Sequence, residues 1–195
     1  MIALIDYGAG NLKSISNACG KLGEKVELVT KADQLEKADK IILPGVGNFG
    51  PAMKSLEGFR EVLLEKIEKG VPFLGLCLGI QVILEGSEES PGVRGLGIIK
   101  GTCKRFPSSV KIPHMGWNSI KPGESKLLGG IKPGDYFYFV HSYYPVPEGN
   151  VVAATTDYGV EFPSVIERDS VFATQFHPEK SGEPGLRVLK NFLEI

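Results

Sequence analysis

Val71-Pro72-Phe73-Leu74-Gly75-Leu76-Cys77-Leu78-Gly79 is an unbroken apolar run that ends on a cysteine with glycine two residues to either side. A run that does not alternate is what a central strand, covered on both faces, requires. Gly-x-Cys-x-Gly at its end, with helix-like Leu78–Leu84 behind it, is the nucleophile-elbow pattern carrying Cys in place of Ser. A side chain at either glycine would crowd the neighbouring strands, because the elbow forces the backbone into a tight strand-to-helix turn. The helix start then aims free N–H groups at the sulfur and favours the thiolate. Taken alone, Cys77 reads equally well as a small apolar core residue.

Upstream, short apolar runs alternate with amphipathic stretches: Ile2–Asp6, Leu12–Leu22, Val26–Val29, Ile41–Leu43, then a helical segment around Phe59–Glu68. That rhythm is a parallel βαβ sheet. Downstream of Ser90 the pattern changes. Gly95–Phe106, Lys111–Ile120, Tyr136–Val146, Val151–Thr156 and Ser164–Phe176 are strand-like, Glu167-Arg168-Asp169-Ser170 is a hairpin tip, and a short amphipathic helix closes the chain near Leu186–Leu193. This half is expected to be antiparallel or mixed. With no repeat, low-complexity tract or linker, residues 1–195 are expected to form one α/β domain.

The composition narrows the function classes. The chain has 195 residues, with 22 Lys+Arg against 23 Asp+Glu, a net charge of −1 that gives no support to polyanion binding. At 42% hydrophobic and 23% charged, disorder is excluded, and a chain of this length buries roughly 70% of its unfolded surface. No apolar run approaches the ~20 residues of a membrane span, and Asp6 interrupts the first run too early for a signal peptide, so a cytoplasmic protein is expected. Cys19, Cys77 and Cys103 form an odd, scattered set without Cys-x-x-Cys, which argues against a disulfide framework and against zinc. His114, His141 and His177 show no paired metal-ligand spacing, so no metal and no cofactor are expected. Tyr7-Gly8-Ala9-Gly10-Asn11 resembles the start of a dinucleotide fingerprint, but Lys13 stands where its third glycine belongs and Thr30 offers no acid for a ribose.

A cysteine nucleophile needs a base, and His177 alone has a carboxylate at a useful spacing. In Gln175-Phe176-His177-Pro178-Glu179 an extended backbone points residues i and i+2 the same way, so Glu179 can orient the imidazole while its other nitrogen faces Cys77. A strand end with a solvated acid would show the same tripeptide. Acyl transfer also needs oxyanion donors. The Leu78 N–H is one, and a second is expected from the backbone of Leu43-Pro44-Gly45-Val46-Gly47, where bare glycine lets main chain approach a substrate.

Together these residues resemble the class I (triad) glutamine amidotransferases, and the resemblance spans the whole chain. It implies a flavodoxin-like three-layer α/β fold, with a central, mostly parallel sheet and additional antiparallel strands in the C-terminal half. It also implies Cys77 as nucleophile, His177 as base and acid, Glu179 as orienter, and Val46 and Leu78 as oxyanion donors. Gly45, Gly47, Gln81, Glu89, Ser142 and Tyr143 would hold glutamine, with Glu89 near its α-amino group and the 142–143 backbone near its α-carboxylate. Without the resemblance, Gln81 is a helix-surface amide and Glu89 a solvated acid.

Within the family, Pro44–Gly50, Pro113-His114-Met115-Gly116-Trp117-Asn118 and Tyr138-Phe139-Val140-His141-Ser142-Tyr143 are similar to a glutaminase subunit of histidine biosynthesis. Such a subunit pairs as a heterodimer with a separate (β/α)8-barrel synthase (cyclase) subunit and passes it ammonia; Trp117, Asn118 and Lys180 would face that partner. Otherwise Trp117 is a core aromatic. Two rivals stay open: the glutaminase of another amidotransferase, and a non-catalytic regulatory subunit of the same fold.

Overall fold

A computed structural model describes all 195 residues. The expected βαβ rhythm is present. β1 (Ile2–Ile5) is joined to β2 (Val26–Val29) by α1 (Leu12–Lys21), β2 to β3 (Lys40–Leu43) by a 3-10 segment (Ala32–Lys37), and β3 to β4 (Phe73–Leu76) by α2 (Phe49–Leu56) and α3 (Arg60–Glu68). A short α4 (Leu78–Val82) follows the elbow, then β5 (Gly86–Ser87), β6 (Gly101–Arg105), β7 (His114–Ser119) and β8 (Lys121–Pro122). The chain ends with β9 (Tyr136–His141), β10 (Tyr143–Pro147), β11 (Val152–Asp157), β12 (Glu161–Arg168), β13 (Val171–Thr174) and α5 (Gly182–Glu194). No helix is long and apolar enough to cross a membrane.

The central sheet has the order β2-β1-β3-β4-β13-β12-β11-β8 and takes strands from both halves of the chain. Its first five strands are parallel, and β12, β11 and β8 continue it antiparallel. Successive strand residues feed opposite cores. Ala3, Ile5, Ile41 and Leu43 pack with Phe49, Met53, Leu56 and Leu63 of α2 and α3, whereas Leu4, Ile42 and Leu74 pack with Ile15, Cys19, Val188 and Phe192 of α1 and α5. The period-2 alternation thus produces three layers. It also explains why β4 reads as a continuous apolar run, since both of its faces are covered.

Several expected spans are corrected. The Phe49–Leu56 helix, hidden behind the glycine turn, precedes the one expected at 59–68. The helix after the elbow stops at Val82, and Gly95–Lys100 is not strand. The apolar run 136–146 is two strands in different sheets: β9 pairs with β7, β10 with β6, and the chain changes partner at Ser142. The 167–170 tip is a hairpin turn as expected, with Asp169 at φ 55°. α5 starts at Gly182, four residues before the expected apolar face.

Candidate active site

Three adjacent parallel strands end on the same side of the sheet, β3 at Leu43, β4 at Leu76 and β13 at Thr174. Pro44-Gly45-Val46-Gly47, Cys77 and Gln175-Phe176-His177 follow directly from those ends. Segments more than a hundred residues apart in sequence therefore meet at the carboxyl edge of the sheet, where open α/β sheets place their ligands.

Cys77 has φ 53° and ψ −100°, a conformation costly for any residue with a Cβ and held by the surrounding structure. Its N–H donates to Thr174 O at 2.8 Å, locking the elbow onto β13. The two glycines are required, though not both for the expected reason. A Cβ on Gly79 would stand 2.7 Å from the Leu43 carbonyl oxygen, a neighbouring strand end. A Cβ on Gly75 would instead strike Gly79 carbonyl atoms at 2.9 Å, so that glycine makes room for the helix of its own elbow.

His177 Nδ1 and Glu179 Oε1 are 2.8 Å apart, and both side chains are buried. The expected extended His-Pro-Glu is corrected: only His177 is extended, and Pro178–Lys180 is a 3-10 turn that brings the carboxylate back under the ring. The turn is anchored by His177 N–H to Tyr138 O at 2.9 Å and by Ser181 Oγ to His177 O at 2.6 Å. The remaining ring nitrogen, Nε2, is buried without a hydrogen-bond partner. Burial by itself lowers the affinity of the ring for a proton. The Cys77 sulfur and the Glu179 carboxylate more than reverse that and hold His177 up at about 10. The sulfur's other contacts are long ones, to Val140 O at 3.8 Å and from Gln175 Nε2 at 3.9 Å.

Cys77 and His177 share a cleft of ≈ 280 Å³ whose wall also includes Val46, Gly47, Leu78, Gln81, Glu89, Ser142 and Tyr143. Its size lies at the small end for small-molecule sites and suits an amino acid rather than a nucleotide. Gln81 is buried, not a surface amide, and its Nε2 donates to Tyr143 O at 3.1 Å and to Gln175 Oε1 at 3.4 Å. Glu89 accepts the Phe49 N–H at 2.7 Å and so caps α2 from the wall of the cleft. Gly45 borders this cleft, because its carbonyl accepts the Leu78 N–H at 3.3 Å and a Cβ on it would meet Leu78 Cβ at 2.6 Å. The Tyr7–Asn11 loop, which resembles part of a nucleotide motif, instead buttresses this segment: Tyr7 OH donates to Pro44 O at 2.8 Å, and a Cβ on Gly10 would stand 2.7 Å from Pro44 Cβ.

Gln175 carries no role that the sequence pattern reveals. It is fully buried, bonded to Gln81 and placed beside the sulfur, and its position two residues before His177 on the same strand end is the one available signal. Trp117 is exposed, not core. It lies with Met115 and Tyr136 on the outer face of the β7–β9 ribbon, and Tyr138 of that ribbon carries the Lys180 ammonium 5.8 Å above its ring. Asn118 points the other way, its amide donating to His114 and to Asp157 O.

The family model for glutamine amidotransferase class-I matches residues 3–195. The chain is 58% identical to the imidazole glycerol phosphate synthase subunit HisH of Methanothermobacter thermautotrophicus, covering 100% of this chain and 98% of that protein. It is 53% identical to the subunit of the same name from Methanocaldococcus jannaschii, over the full length of both. Among solved structures, a glutamine amidotransferase crystal structure superposes with a TM-score of 0.77 at 22% identity, over 100% of this chain and 98% of the other. A chain in the structure of PurLQS from Thermotoga maritima superposes with a TM-score of 0.78 at 21% identity, over 99% of this chain and 97% of that one. At those identities the two structures speak for the fold.

Proposed function

The chain belongs to the class-I glutamine amidotransferases, and we propose that it is the glutaminase subunit of an imidazole glycerol phosphate synthase. The observation that carries the reading is the Glu179–His177 pair, 2.8 Å apart and buried, with its free Nε2 and Cys77 on one amino-acid-sized cleft.

In this reading the Cys77 thiolate attacks the γ-carboxamide carbon of glutamine. His177, kept protonated by its two anionic neighbours, passes its Nε2 proton to the leaving amine, and ammonia departs from a γ-glutamyl thioester. The now neutral ring takes a proton from water, whose oxygen opens the thioester to glutamate and returns the Cys77 thiolate beside a protonated His177. Glu179 fixes the ring orientation and stabilises the imidazolium. Gln81, Glu89 and the Ser142–Tyr143 backbone hold the substrate, while Gly45–Gly47 lies along the reacting carbonyl. Val46 and Leu78 N–H groups are the oxyanion donors.

The ammonia goes to a (β/α)8-barrel synthase subunit bound as a heterodimer, which forms imidazole glycerol phosphate and aminoimidazole carboxamide ribotide. The outer face of the β7–β9 ribbon supports that docking, because Met115, Trp117 and Tyr136 are each more than half exposed there, an apolar patch beside Lys180. The deciding experiment measures glutamate release with and without that barrel subunit. Release that needs a different synthase would assign the chain to another amidotransferase, and no release with any partner would leave a non-catalytic subunit.

A further inference from the structure

Two of the three histidines take no part in the chemistry above, yet both are buried and face each other. His114 and His141 stand opposite in the β7–β9 register, with His114 Nδ1 3.0 Å from His141 Nε2. The direction of every bond around them is fixed by chemistry. Tyr143 O can only accept, so His141 Nδ1, 2.8 Å away, carries a proton. No carboxylate or other counter-charge pairs with either ring. Phe139 and Tyr158 stack on His114 at 4.9 and 4.0 Å, and Phe106 and Phe162 pack on His141. A cation there would be desolvated and unpaired, and burial accordingly pushes His114 down to about 4 and His141 to about 3.

A neutral His141 protonated on Nδ1 must accept at Nε2, so His114 donates from Nδ1 and must itself accept at Nε2. Its donor is Asn118 Nδ2 at 3.2 Å. That amide cannot be turned around, because Asn118 Oδ1 accepts the Ser119 N–H at 2.8 Å and Nδ2 also donates to Asp157 O at 2.9 Å. At the other end, Tyr143 O accepts a second bond from Gln81 Nε2, whose remaining hydrogen goes to Gln175 Oε1; Gln175 Nε2 then points to the Cys77 sulfur. Both Gln81 amide hydrogens are used, and only its oxygen is left to receive a donor from substrate.

We infer that Asn118, His114 and His141 form a neutral, one-way hydrogen-bond relay that positions the Tyr143 carbonyl and the Gln81 carboxamide for glutamine. The three are positioning residues, and the inference rests on reading the cleft as a glutamine site. The physical need is local. Tyr143 lies opposite Arg105 of β6, and the Phe106 N–H donates to Ser142 O at 3.2 Å, so Tyr143 occupies a non-hydrogen-bonded position of that ladder with its carbonyl turned away from β6, and the relay supplies the constraint from the side.

The test has two arms. Ring ¹⁵N chemical shifts of the full chain at neutral pH report tautomers without any reaction. The relay expects both His114 and His141 as neutral Nδ1–H forms, and an Nε2–H form or an imidazolium on either overturns it. In the complex with the barrel subunit, His114→Leu raises the KM for glutamine by about fivefold, the worth of one neutral hydrogen bond, with kcat changed less than about twofold. His114→Asn, which keeps a donor at the Nδ1 position, returns KM to near the unmodified value. A folded His114→Leu variant with unaltered KM refutes the relay. If that variant does not fold, the tautomers decide. Absence of glutamate release from the unmodified complex instead refutes the glutaminase reading, while the tautomers still test the relay independently.

Discussion

The carbonyl oxygen of Gly45 accepts the Leu78 N–H at 3.3 Å, so the donor that the elbow would offer to an oxyanion is occupied by the chain itself. Turning the Gly45–Val46 peptide would remove that carbonyl, free Leu78 and bring in the Val46 N–H at once. Glycine at 45 makes the rotation sterically cheap, and Gly47 at φ 97° already sits where other residues rarely go.

The isolated chain is therefore expected to be a poor glutaminase. With the barrel subunit and its nucleotide acceptor bound, turnover should rise by on the order of 10² or more, since one missing oxyanion donor costs about 10²–10³ in rate. Steady-state glutamate release by the chain, by the complex, and by the complex with an acceptor analogue measures this. Equal turnover in all three would show that the site is complete as it stands.

Cys77→Ala should abolish glutamine-dependent synthesis by the assembled enzyme and spare synthesis driven by added ammonium salt. In the proposed reaction only ammonia production uses the sulfur. Loss of both activities in an intact complex would contradict the assignment of Cys77.

A diazo-ketone analogue of glutamine should label Cys77 and leave Cys19 and Cys103 unmodified. Both of the latter are fully buried; burial raises the Cys19 thiol to about 11 and pushes Cys103 up as well, so neither is a ready thiolate. Peptide mass mapping decides, and comparable label on either would count against the elbow.

Glu179→Gln should lower kcat by on the order of 10²-fold or more, because the imidazolium loses its carboxylate and the ring its enforced tautomer. It should also flatten the pH dependence of stability. The folded ring at about 10 binds its proton more tightly than the free value of 6.5. The stability it contributes is thus complete below about pH 6.5 and is lost as pH rises toward about 10. Denaturant midpoints across that window should fall more steeply for the unmodified chain than for the variant, and parallel curves would disprove the coupling.

Gly79→Ala should destabilise the protein by about 1–3 kcal/mol, since the added methyl would stand 2.7 Å from Leu43 O and must displace β3 or α4. Thermal unfolding measures it; an unchanged midpoint would mean that the elbow has slack.

Much of this was legible in the chain itself. The parallel half could be read because a strand covered on both faces must be continuously apolar and its helices amphipathic, a pattern local in sequence. Gly75-Leu76-Cys77-Leu78-Gly79 announced the elbow because a strained turn admits few residue types. Gln175 and the His114–His141 pair could not be read in the same way. Their neighbours come from strands far apart in sequence, and a buried amide or imidazole looks like any other until its partners are known.

The sequence alone determined the parallel alternation of strands and amphipathic helices, the elbow at Cys77, and the close spacing of His177 and Glu179, because backbone sterics and hydrophobic period act over a few residues. Only the tertiary structure decided that Glu179 reaches its ring through a 3-10 turn, that Trp117 faces outward while Asn118 faces in, and that the Gly45 carbonyl takes the Leu78 N–H. Each of those depends on which strand ends meet at the sheet edge and on the rotation of single peptide planes. Such rotations differ by a few hydrogen bonds and leave no mark on residue type.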